Sequence, residues 1–70
     1  MPKNTTIIPK APLARMLLDA GAKRVSEPAA SEFSRVIEEK GIEIAKKAFE
    51  LARHSGRKTI HAEDIFLAVQ

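Results

Sequence analysis

SEPAASEFSRVIEEKGIEIAKKAFELARHSG, residues 26–56, is the stretch on which the fold turns. Ser26 suits an N-cap, and Glu27 and Pro28 suit a first helical turn, where acids and proline are favoured. No further breaker follows before Ser55-Gly56 except Gly41. The stretch therefore reads as one helix of roughly 28 residues, about 42 Å long at about 1.5 Å per residue. Its apolar seam is Ala29, Phe33, Val36, Ile37, Gly41, Ile44, Ala48, Leu51 and Ala52, in steps of three and four. That is helical periodicity with little strand character.

On its N-terminal side, residues 1–8 form a polar leader without periodicity, set apart from a domain over residues 9–70. Pro12 is placed as the first residue of a short helix whose apolar positions are Leu13, Met16, Leu17 and Ala20, and Gly21 is its stop. Residues 22–25 make a loop. Beyond Gly56, a polar link of Arg57, Lys58 and Thr59 leads into a second short helix over about residues 61–70. The expected class is all-α, short helix, long central helix, short helix.

Seventy residues allow one domain. A chain of this length buries only ~60% of its unfolded surface, so folding alone is marginal. It has no cysteine for a disulfide or a structural zinc site, and association is the obvious further source of stability. Hydrophobic residues make up 44% of the chain, ample for a core. No apolar run reaches the length of a membrane span, so a soluble, intracellular protein is expected.

The net charge is +3, unevenly spread. Residues 1–25 carry five bases against one acid, residues 26–56 five against six, and residues 57–70 two against two. Positive charge gathers at the first helix and the loops, which suits a polyanion.

The central helix also argues for a partner. Two helices of about ten residues span roughly 30 Å together and must cover each other's apolar faces too. They cannot close every apolar side of a 42 Å helix, whose C-terminal half is widened by Ile42, Ala45 and Phe49. A second copy is expected, with the central helices crossing near Gly41. That glycine costs about 1 kcal/mol relative to alanine in a helix and gives close approach. The expected dimer core is Phe33, Ile37, Gly41, Ile44 and Ala48.

Two motifs carry the chemistry. RHSGRKTIHAEDIFLAV, residues 53–69, holds two bases and a hydroxyl on a short loop between helices, an arrangement suited to phosphate oxygens. AGAKRVS, residues 20–26, holds Arg24 between a helix stop and a helix cap. Together they closely resemble the archaeal histones, small tailless relatives of the eukaryotic core histones, over about residues 9–69. The resemblance implies a histone fold that pairs head to tail in a handshake dimer. It implies an architectural role, bending, wrapping and compacting double-stranded DNA with little sequence preference.

By the same resemblance, DNA contacts fall to Arg15, Arg24, Ser26, Lys58 and Thr59. Arg24 would enter the minor groove, as arginines do where binding is not base-specific, beside Thr59 of a partner. Arg57 and Asp64 would form an internal salt bridge that fixes the second loop. Leu51, His54 and Asp64 would join dimers into tetramers or longer oligomers. The expected partners are DNA and a like chain or a paralogous histone, at the chromosome in the cytoplasm, with no membrane. The alternative is a histone-fold heterodimerisation module of a transcription-related complex. Such modules often lose the loop bases, so Arg24, Lys58 and Thr59 weigh against it.

Other chemistry finds little support. His54, His61, Glu63 and Asp64 straddle a helix break and share no fixed face for a metal. No nucleophile–base pair or glycine-rich phosphate loop is present, so neither an enzyme nor a cofactor is expected. Relative to the family pattern, Ile42 and Phe66 are apolar where charge is frequent, Lys40 stands at a commonly apolar position, and His61 replaces a hydroxyl or basic residue. The end at Gln70 leaves out a basic C-terminal segment, which bears on contacts between turns of a DNA superhelix.

Overall fold

The computed structural model describes residues 7–70 and contains three helices there: α1 (Lys10–Asp19), α2 (Glu27–His54) and α3 (Ala62–Ala68). The expected leader lies mostly in residues 1–6, outside the described residues. Two units divide the chain, one up to Glu39 and one from Lys40.

In the first unit, α1 opens earlier than the sequence pattern indicates. Pro9, with φ −63° and ψ 149°, is its N-cap, so Pro12 is the third helical residue rather than the first. The first four N–H groups of a helix have no intrahelical partner, so proline fits any of these positions. The far end is closed as expected. Gly21 has φ 128°, and Gly21 N–H and Ala22 N–H donate to the carbonyls of Leu18 and Leu17 at 3.0 and 3.2 Å. That left-handed backbone suits glycine.

Ser26 caps α2: its Oγ accepts a hydrogen bond from the Ala29 N–H at 3.2 Å. Within this unit the buried residues are Leu13, Ala30 and Ser34. Ala30 and Ser34 stand one turn apart on α2, forming a narrow stripe of small side chains. Ser34 is 0% exposed and its hydroxyl donates to the Ile8 carbonyl at 2.9 Å. Ile7 N–H donates to Glu38 Oε1 at 3.2 Å. The segment before α1 is thereby tied to α2 at two points. The exposed face of α2 carries Arg35 paired with Glu32 and, at 2.7 Å, with Glu39. Such exposed pairs add little to stability.

In the second unit the buried side chains are again small. Ala48 and Ala52 on α2 are 0% and 1% exposed, and Asp64 and Ala68 on α3 are buried too. Each pair is spaced i, i+4, so α2 and α3 each present one closed stripe. Ala48 therefore belongs to the chain's own core and not, as its place in the seam indicates, to a dimer contact. A side chain with no exposed surface has none to offer a partner. The remaining expected dimer-core residues keep accessible surface: Phe33, Ile37 and Ile44 are half-buried and Gly41 is exposed. A Cβ built on Gly41 meets nothing within 4 Å.

α2 ends as the Ser55-Gly56 break predicts. Gly56 has φ 75°, and the N–H groups of Gly56 and Arg57 donate to the Arg53 and Ala52 carbonyls at 2.9 and 3.0 Å. α3 is shorter than the expected span of residues 61–70. His61 is its N-cap, and Val69, at φ −89° and ψ 0°, has already left the helix. Large apolar side chains remain on the surface: Phe49 is 49% exposed, Leu67 52% and Phe66 63%. Among the described residues, no helix is long and apolar enough to cross a membrane.

Candidate nucleic-acid interface

The second loop, residues 55–61, is the best-built feature of the molecule. Its anchor is Asp64, the N3 residue of α3, which is only 3% exposed. The Arg57 guanidinium meets its carboxylate with two parallel bonds, Nη1 to Oδ2 at 3.0 Å and Nη2 to Oδ1 at 3.1 Å. The His61 backbone N–H donates to Oδ2 at 2.8 Å. Arg57 Nη1 also donates to the Thr59 carbonyl at 2.7 Å. One carboxylate and one guanidinium thus gather three points of a five-residue span, at positions 57, 59 and 61. The two-pronged geometry is what a planar guanidinium provides and a lysine does not.

Charge follows the geometry. Hydrogen bonds from Arg57, and then from the His61 N–H, hold the Asp64 carboxyl below the usual carboxylate range, while burial works against them. Asp64 in turn raises the Arg57 guanidinium above its ordinary value. Both groups stay charged at neutral pH and largely satisfy each other. The positive charge that the loop turns to solvent is therefore that of Lys58, which is exposed along with Thr59, Ile60 and His61.

The first loop is simpler. Arg24 is exposed between Gly21 and the Ser26 cap, and Arg15 is exposed on α1. Ser26 is exposed, but its hydroxyl already serves as the helix cap. Arg15, Arg24 and Ser26 thus stand on α1 and the first loop, and Lys58 and Thr59 on the second. Lys10 pairs with Glu27 at 3.5 Å, both largely in solvent.

Leu51 and His54 line a shallow groove of about 300 Å³ with Lys47, Glu50, Leu67, Ala68 and Gln70. Asp64 is not among its walls, because its carboxylate is turned into the loop clamp. A second hollow runs along α2 past Ile42, Ala45, Lys46, Phe49 and Glu50. Among the described residues no group of three or more His, Asp and Glu side chains is placed to hold a metal ion.

The sequence pattern singles out Arg57, Asp64, Lys58 and Thr59 but not the Thr59 carbonyl as an Arg57 partner, since backbone acceptors leave no mark on side-chain spacing. It also passes over Ser34, whose only signal is its place four residues after Ala30.

Residues 6–69 match the family described as histone-like transcription factor (CBF/NF-Y) and archaeal histone. The chain is 54% identical over 63 residues to a subunit of the archaeal histone HAN1 of Thermococcus zilligii. It is 46% identical over 63 residues to probable archaeal histone 3 of Methanocaldococcus jannaschii. Each alignment takes in 90% of this chain and 94% of the relative.

Proposed function

From a chain that belongs to the archaeal histone and histone-like transcription factor family and has its all-α fold, we infer a protein that packages DNA by bending and wrapping it. The observation that carries this reading is the second loop. Its backbone is locked by Arg57 and Asp64 while Lys58 and Thr59 stand exposed. A rigid loop that turns a base and a hydroxyl outward is suited to phosphate oxygens, which position a protein on DNA without reading sequence. Arg24, exposed on the first loop, supplies the guanidinium for a narrow minor groove. Arginines set into the minor groove without base contacts are how the eukaryotic histone octamer, a relative of this family, holds its DNA.

The active form is a handshake dimer in which central helices cross near Gly41. The apolar surface left on one chain supports this, notably Phe49, Ile65, Leu67 and the half-buried Phe33, Ile37 and Ile44. So does the open space over Gly41. Dimers then join through Leu51 and His54, with the Asp64 carboxylate held close by its own loop, giving tetramers or longer assemblies along the chromosome. Pairing with a second, different histone chain is supported by the Thermococcus zilligii relative, whose name makes it one subunit of a histone.

The test is binding to two unrelated duplexes across a series of salt concentrations. Affinity is expected to be similar on both and to fall steeply with salt, log K changing by about −0.9 per neutralised phosphate. Lys58→Ala is expected to reduce that slope by about one unit, and Arg24→Ala to reduce DNA bending together with affinity. Unchanged affinity on every duplex when both substitutions are combined overturns the reading.

A further inference from the structure

We propose that His61 is an additional phosphate-contacting residue of the second loop, neutral in mildly alkaline solution and a third cation once protonated, so that DNA binding strengthens as pH falls. The inference rests on the DNA-binding reading above and concerns its regulation.

Three observations carry it. The first is placement. His61 belongs to the same clamped span as Lys58 and Thr59, and its backbone N–H is fixed on Asp64 at 2.8 Å. It holds an extended conformation, φ −101° and ψ 166°, and is exposed. Its side chain thus leaves a rigid backbone three residues from Lys58. The second is charge balance. Arg57 is taken up by Asp64, so Lys58 alone presents full positive charge from this loop, and one more cation doubles it. The third is composition. The chain has two histidines and no cysteine, and imidazole is the side chain whose charge ordinarily changes between about pH 5 and 8. The other, His54, is on α2 in the groove beside Leu51 and Leu67, away from the Lys58 loop.

The charged groups around His61 set the coupling. Arg57 and Lys58 lie on its own loop, Glu63 and Asp64 in the first turn of α3, and Arg53 and His54 at the end of α2. An imidazolium here gains from Asp64, whose carboxyl responds to it, and is opposed by Arg57 and Lys58. A phosphate brought to the loop offsets that opposition. Binding then takes up a proton, and by linkage protonation raises affinity.

The experiment is the salt dependence of binding to one duplex at pH 8.0 and pH 5.5, at matched ionic strength, for the wild-type chain, His61→Asn and His54→Asn. Asparagine is a strong N-cap without charge, so α3 keeps its start; helicity of each variant is checked by circular dichroism. The wild-type slope of log K against log salt is expected to steepen at pH 5.5 by about 0.9 per histidine–phosphate contact. His54→Asn is expected to keep the change, His61→Asn to lose it, and His61→Lys to bind tightly at both pH values. A wild-type slope independent of pH, or a pH response that survives in folded His61→Asn, overturns the inference and leaves DNA binding standing. Absence of binding at both pH values overturns the DNA-binding reading and this inference with it.

Discussion

Ser34→Ala removes a single oxygen from the one fully buried polar side chain of the first unit. The Ser34 hydroxyl is 0% exposed and donates to the Ile8 carbonyl at 2.9 Å. A hydrogen bond of this kind contributes about 0.5–1.5 kcal/mol net. Ile8 is only half-buried, so its carbonyl can still meet water and the loss stays within that range rather than reaching a full desolvation penalty. Alanine recovers up to ~0.5 kcal/mol as the better helix former. The expected net destabilisation is ~0.5–1 kcal/mol. For a domain of this size that lowers the thermal midpoint by roughly 2–8 °C. Ser34→Leu, which forces extra carbons into a site with no free surface, is expected to cost ~1–3 kcal/mol through overpacking. Thermal and urea unfolding followed by circular dichroism at one fixed protein concentration measures both. A Ser34→Ala chain as stable as the wild type, with Ser34→Leu tolerated equally, refutes the buried tie between α2 and the segment before α1.

Two further outcomes follow from the second unit and from Gly41. The Asp64 carboxyl is held below its ordinary value, so the stability it contributes is present above the unfolded carboxylate value of about 4 and is lost as pH falls through the lower folded value. Thermal midpoints measured from about pH 6 down to about pH 2 are expected to fall less steeply below about pH 4 in Asp64→Asn, and an identical acid limb in the two proteins contradicts the clamp. Gly41→Leu finds open space in one chain and gains helix propensity, yet is expected to weaken association and to remove the rise of the thermal midpoint with protein concentration. Unchanged dimerisation by sedimentation places the crossing elsewhere.

The long helix was legible because both its ends carry local chemistry: Ser26 supplies a side-chain cap, and Gly56 supplies a left-handed stop. The start of α1 was not, because a proline satisfies any first-turn position and Pro12 cannot distinguish the first from the third. The end of α3 was not either. Val69 continues the apolar pattern after the helix has ended, and periodicity does not register a backbone that has turned to ψ 0°. In the site, Arg57, Lys58, Thr59 and Asp64 were named from their resemblance to a family pattern. The reach of Arg57 to a backbone carbonyl was not, since it depends on how the loop closes. The seam of α2 showed the sharpest limit. Helical spacing gathers Ala48 with Phe33 and Ile44, but side-chain size separates them: alanines and Ser34 fill the stripe the chain closes by itself, and the large residues flank it.

The clamp on the second loop also bears on when disorder is given up. Ordering a residue's backbone costs about 1–2 kcal/mol of conformational entropy. Arg57 and Asp64 hold residues 57–61 in place in the isolated chain, so that entropy is surrendered during folding and not at the moment of contact with a ligand. Lys58 reaches its partner from a backbone that is already still, and its own side-chain rotamers are most of what remains to be frozen. A loop prepared in this way can release one polyanion segment and take up another without refolding between encounters.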